Sequence, residues 1–156
     1  MKIFVLVSFL LIYLTIFQGQ SFLQIEFIQP NLILIFLIIL GIFVKKWFLR
    51  FLFSIISLIS LSISTGWVLD LIYFEILLIF TFLILDYLPW YPIINIIFSL
   101  SLNTIFFNIL INLGEYKINF YSIMLELIYN NLIAVVVFGM IYIYLGQNFY
   151  EKIRRN

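Results

Sequence analysis

The chain has 156 residues, 66% of them apolar and 10% charged, with eight Lys or Arg against seven Asp or Glu and a net charge of +1. A soluble domain carries about a quarter charged residues, so the composition excludes an ordinary water-soluble globule and describes one all-α unit, a polytopic integral membrane bundle. With neither Cys nor His, the chain lacks disulfides, thiolate metal sites and the commonest general base; its scattered cations form no basic face for nucleic acid, and no cofactor is expected.

At about 20 apolar residues per crossing, the sequence holds six candidate helices, over 3–17, 31–44, 51–69, 71–88, 93–112 and 121–145. The first follows Lys2, and Gln18-Gly19-Gln20-Ser21 beyond it lacks the small-x-small cleavage pattern of a signal peptide. An uncleaved first helix is therefore expected. The connection over 18–30 is semi-apolar, with Phe22, Ile25, Phe27 and Ile28, and suits the outer membrane interface. The second run opens after Pro30 and closes at Lys45-Lys46. The third and fourth come from a stretch, 51–88, too long for one crossing, which Gly66 and Asp70 divide. The fifth follows Trp90-Tyr91-Pro92, and the sixth precedes a tail containing Lys152, Arg154 and Arg155.

Charge bias supports six crossings with both ends inside, because cytoplasmic loops collect Lys and Arg. In that arrangement Lys2, Lys45, Lys46, Arg50, Lys152, Arg154 and Arg155 are cytoplasmic and Lys117 alone is outside. Five crossings would move the basic tail to the outer face. Trp47 and the Tyr87, Trp90, Tyr91 group then fall at the inner interface and Trp67 at the outer one, as amphipathic rings prefer.

Polar residues inside the runs are the candidate functional positions, since an ionisable group at mid-span costs about 2.5–3.5 kcal/mol on insertion scales. On the sixth helix Ser122, Glu126, Asn130 and Ala134 recur every four residues and share one face. On the fifth, Asn95, Ser99 and Asn103 do the same, with Asn108 slightly off the line, and the two stripes are expected to meet. Either stripe could bind a ligand or clamp a partner helix, but interhelical hydrogen bonding within the bundle accounts for both. Ser57, Ser60 and Ser64 on the third helix permit close helix packing. Asp70 suits a wet position or the cap of the fourth helix. Glu75 lies deeper and is expected to be neutral or paired with an Asn or Ser. Asp86 is expected to be solvated, and Arg50, Lys45 and Lys46 to snorkel toward anionic headgroups. The phosphate loop, the H-E-x-x-H pair and the nucleophile elbow are all missing, so no catalytic residue is assigned and a non-enzymatic role is expected.

The order of features resembles the rod-shape-determining MreD family. A second helix opens at Pro30-Asn31-Leu32-Ile33-Leu34 and ends at Lys45-Lys46, and Gly66-Trp67-Val68-Leu69-Asp70-Leu71 closes the third. Glu126-Leu127-Ile128-Tyr129-Asn130 precedes the basic tail, and Asn108 stands late in the fifth helix. After Asp70 the chain departs from the family, reading Leu71-Ile72-Tyr73-Phe74-Glu75 where those proteins carry a Ser- and Pro-containing stretch ending in Phe-Gly. The resemblance implies a scaffold of the cell-wall elongation machinery in the bacterial inner membrane, partnered by an MreC-like membrane protein and wall synthases. The alternatives are a substrate-binding component of an energy-coupling-factor vitamin transporter, for which Glu126, Asn130, Asn103 and Asp70 could line a pocket, and a hydrophobic subunit of a respiratory complex. With Ala134 as its single Ala, this chain lacks the Ala-x-x-x-Ala motif with which such transporter components meet their coupling partner.

Overall fold

The computed structural model describes residues 2–19, 29–65, 69–88, 91–111 and 119–145. Among them are six helices and no strand: α1 (Lys2–Gly19), α2 (Leu32–Phe43), α3 (Trp47–Thr65), α4 (Leu69–Tyr87), α5 (Pro92–Ile111) and α6 (Phe120–Leu145). The chain is all-α, and 51–88 is split into two helices; Gly66, taken as the point of division, lies outside the described residues.

Helix starts follow from local chemistry. Pro92 is the first residue of α5, where its missing N–H is no loss, and the Tyr91 carbonyl accepts the Ile94 and Asn95 N–H groups at 2.9 and 3.0 Å. Asn119 caps α6, its side chain accepting the Ser122 N–H at 3.3 Å. Helix α3 begins at Trp47, four residues earlier than the apolar run suggests, because the Lys46 carbonyl accepts the Leu49 and Arg50 N–H groups at 3.0 and 3.2 Å. That early start brings Arg50 inside the helix.

Helix α2 is the axis of the fold. Its twelve residues, LILIFLIILGIF, contain no polar side chain, and a helix apolar all round is buried all round. Ile33, Leu37 and Ile38 are wholly buried. Every other helix packs against α2, and those five follow one another around it in the order α1, α3, α4, α5, α6. Among the described residues no comparable contact joins α6 back to α1. Close approach of α4 depends on Gly41: a Cβ there would lie 2.8 Å from Phe82 Cε1, and Phe82 is itself fully buried.

Polar side chains are buried beside the apolar core, and the surface carries large apolar side chains. Ser54, Ser57, Thr81, Ser99, Asn103, Thr104 and Asn130 are buried, whereas Leu6, Phe9, Phe48, Ile63 and Ile143 are exposed. Among the described residues two helices, Pro92–Ile111 and Phe120–Tyr144, are long and apolar enough to cross a membrane, and only 33% and 22% of them is buried. The core helix of a soluble protein would be mostly covered; in these two most residues are exposed or only half-buried.

Candidate functional site

Two groups of polar side chains hold the two ends of α2. A helix leaves its first N–H groups without intrahelical acceptors, and in an apolar interior each must find a partner in the protein. Asn31 N–H donates to Asn130 Oδ1 of α6 at 2.8 Å. Leu32 N–H reaches the Pro30 carbonyl at 3.0 Å, Ile33 N–H reaches Gln18 Oε1 of α1 at 3.2 Å, and Leu34 N–H reaches the Asn31 side chain at 3.0 Å. Gln29 in turn donates to the Gln18 carbonyl, tying the end of α1 to the start of α2. Three elements thus contribute the cap of one short helix.

Asn130 also connects this cap to the α5–α6 seam. Its amide donates to Thr104 Oγ1 at 3.1 Å and bonds Glu126, one turn earlier on the same face. Glu126 Oε2 accepts from Asn108 Nδ2 at 2.9 Å, and the same amide donates to the Thr104 carbonyl at 2.9 Å. Stepping one turn along α5 therefore matches stepping one turn back along α6. Beside this row, Asn131 donates to Ser101 Oγ at 3.0 Å.

The two stripes meet through Asn108, Glu126 and Asn130 as expected, with Thr104 rather than Asn103 facing Asn130. Asn95, Ser99 and Asn103 are buried. Asn103 donates to Thr81 of α4 and, at 2.8 Å, to the Ser99 carbonyl, while Asn95 donates to the Leu88 carbonyl beyond α4 at 3.4 Å. Neighbouring positions on a helix are about 100° apart, so Thr104 points to α6 where Asn103 points to α4. Ser122 is half-buried at the start of α6, and Ala134 is fully buried on the stripe's line.

At the opposite end of α2 the expectation for Arg50 is corrected, while Asp86 stays partly solvated, its side chain 34% exposed. Arg50 does not snorkel; it is 1% exposed and forms a two-pronged ion pair with Asp86, NH1 to Oδ2 and NH2 to Oδ1, each at 2.8 Å. Its Nε donates to the Val44 carbonyl at 2.6 Å and NH1 to the Phe82 carbonyl at 3.3 Å. Four of the five guanidinium N–H groups are used, two of them on carbonyls at or near the C-terminal ends of α2 and α4. Those ends carry partial negative charge, which favours a cation. The guanidinium also lies 5.8 Å from the centre of the Phe82 ring, the same ring that approaches Gly41.

The remaining candidates stand apart. Glu75 accepts from Ser54 of α3, and its Oε2 has no hydrogen-bond partner among the described residues. Asp70 is half-buried in the first turn of α4, at the positive end of the helix. Among the described residues no group of three or more Asp, Glu, His or Cys could hold a metal ion. Arg50, Asp86, Gln18, Asn31, Thr81 and Thr104 are the site residues that sequence reasoning missed. For Asn31 a signal existed, a helix-capping residue directly before an apolar run.

No family model matches this chain, and neither does a curated protein or a solved structure. Chemically, the arrangement sets helix register: donors and acceptors from neighbouring helices are bonded to one another at both ends of α2.

Proposed function

We propose that the chain is a six-crossing protein of a bacterial inner membrane, with both ends cytoplasmic, acting as a non-enzymatic scaffold of the cell-wall elongation machinery in the manner of MreD. The observation that carries the membrane part is the apolar surface, with Phe, Ile and Leu exposed while Asn and Ser are buried beside the apolar core. Two exposed tyrosines support it further. From Tyr121, 69% exposed, to Tyr144, 89% exposed, α6 rises about 35 Å, which matches a hydrocarbon core of about 30 Å with a ring at each interface. Helices α1, α3 and α4, of 18, 19 and 19 residues, extend about 27–29 Å. At about 18 Å, α2 is too short to cross unaided, and the satisfaction of its ends by protein groups is what lets such a helix lie at membrane depth.

The scaffold part rests on the resemblance in feature order, supported by polar groups that bond one another rather than converge on a ligand. That pairing gives the vitamin-transporter alternative less support. The test is replacement of the chromosomal gene in its rod-shaped host. Depletion is expected to round the cells, and the tagged protein to co-purify with a single-pass MreC-like partner. Normal shape together with no such partner would contradict the proposal.

A further inference from the structure

We infer that Glu75, at the outer edge of the α3–α4 seam, is the anchor for a separate transmembrane helix that carries a Lys or Arg within its span. The inference rests on the membrane half of the reading above and not on the scaffold half.

Position comes first. Glu75 is six residues from Leu69 and twelve from Tyr87, the two ends of α4, so it lies about 9 and 18 Å from them, well inside the span. At about 100° per residue it stands between the covered and uncovered sides of the helix. Leu71 and Leu78 to one side of it are 8% and 0% exposed, whereas Ile72 and Ile76 to the other are 50% and 58% exposed. Glu75 itself is half-buried, with its carboxyl turned inward: Oε1 takes the Ser54 hydroxyl and Oε2 is enclosed. Its exposed surface is therefore mainly the stem, whose rotatable bonds let the carboxyl swing outward to meet a partner.

Charge comes second. Ionisable groups inside spans pair with one another or with backbone carbonyls, yet Oε2 has no partner among the described residues. This chain offers no cation to supply one. Its Lys and Arg stand at 2, 45, 46, 50, 117, 152, 154 and 155, and of these only Lys2 and Arg50 belong to the described helices. Lys2 is the first residue of α1, and Arg50 is held by Asp86 nearer the inner end of the same seam. A second copy of this chain has the same deficit at the same depth, so it cannot answer Glu75. The complement is a helix of different sequence whose Lys or Arg lies in mid-span.

The probe is a synthetic Leu-rich peptide that crosses once and carries a single central Lys, compared with the same peptide carrying Leu or Gln there. Energy transfer between the dye-labelled full chain and each peptide in phosphatidylcholine vesicles reads association. The Lys peptide is expected to associate about fivefold more tightly than either control, and a hydrophobic carbodiimide to join its side-chain amine to the Glu75 carboxyl as an amide. Glu75→Gln keeps an oxygen for Ser54, so it is expected to unfold at an unchanged midpoint while losing the preference; Glu75→Asp, which keeps the charge, retains part of it. Equal association of all three peptides, a Gln peptide as good as the Lys one, or a preference that survives Glu75→Gln would overturn the inference. So would a second copy seated on this face, seen as an efficient disulfide between two Ile76→Cys chains. Were Glu75→Gln not to fold, the three peptides on the unaltered chain still decide. Alkaline carbonate separates this failure from failure of the membrane reading: a chain stripped from membranes by carbonate sinks both, whereas one that stays but ignores the peptide's Lys sinks the helix seat alone.

Discussion

Arg50 and Asp86, thirty-six residues apart, are joined by two parallel hydrogen bonds of 2.8 Å between the start of α3 and the end of α4. Arg50 is sealed from solvent while the Asp86 side chain keeps 34% exposure. The pair therefore sits at an edge of the bundle, with its cation turned inward. Removing one partner strands a charge, whereas removing both leaves an apolar contact. Asp86→Leu alone is expected to lower stability by roughly 2–3 kcal/mol, below the full cost for a buried pair because Asp86 is partly wet. The double variant Arg50→Met/Asp86→Leu should recover most of that, short of about 1 kcal/mol for the Val44 carbonyl left without its donor. Thermal unfolding midpoints in detergent for both singles and the double close the cycle.

Gly41 and Gly139 should respond in opposite directions to the same change. A methyl group at Gly41 would press on the Phe82 ring, which is locked between α2 and the Arg50 guanidinium, whereas one at Gly139 meets nothing within 4 Å. Gly41→Ala is expected to cost about 1–3 kcal/mol through overpacking, and Gly139→Ala to leave stability unchanged or raise it by up to about 1 kcal/mol through the gain in helix propensity. The same unfolding measurement on both variants checks this.

The α2 cap makes Asn130 more costly to lose than its neighbour Glu126. Asn130→Leu removes the acceptor for Asn31 N–H and the donor to Thr104 together, and a stranded buried donor costs about 1–3 kcal/mol. Glu126→Gln keeps a carbonyl oxygen for Asn108, which also bonds the Thr104 carbonyl. It should change stability by under about 1 kcal/mol, in line with the average interhelical hydrogen bond in membranes. Hydrogen exchange at the first amides of α2 should rise in Asn130→Leu and stay slow in Glu126→Gln.

The helices were legible in the sequence because apolar runs bounded by charge, Pro and Gly leave little choice, and the α6 stripe because a period of four survives any small error in register. The ion pair was not legible. Arg50 reads as a boundary cation as long as α3 is assumed to begin after it, and only the backbone hydrogen bonds from Lys46 put it inside the first turn. Thr81 and Thr104 were overlooked because an isolated Thr does not interrupt an apolar run and its hydroxyl can bond the carbonyl one turn back, as Thr81 does with Leu77 at 2.8 Å. The central place of α2 had a clue in its uniform apolarity, yet which helices surround it depends on contacts between distant segments.

Membrane topology tests the central claim most directly, and the absence of Cys from the native chain makes single-cysteine labelling free of background. Lys45→Cys, Tyr91→Cys and Asn119→Cys each place a thiol at an exposed described position, and Gly66→Cys probes the division between α3 and α4. With a membrane-impermeant maleimide on spheroplasts, positions 66 and 119 should react at once, and positions 45 and 91 only after permeabilisation. Reaction of positions 45 and 66 from the same side, or of all four equally in a soluble fraction, would contradict a six-crossing bundle with both ends inside.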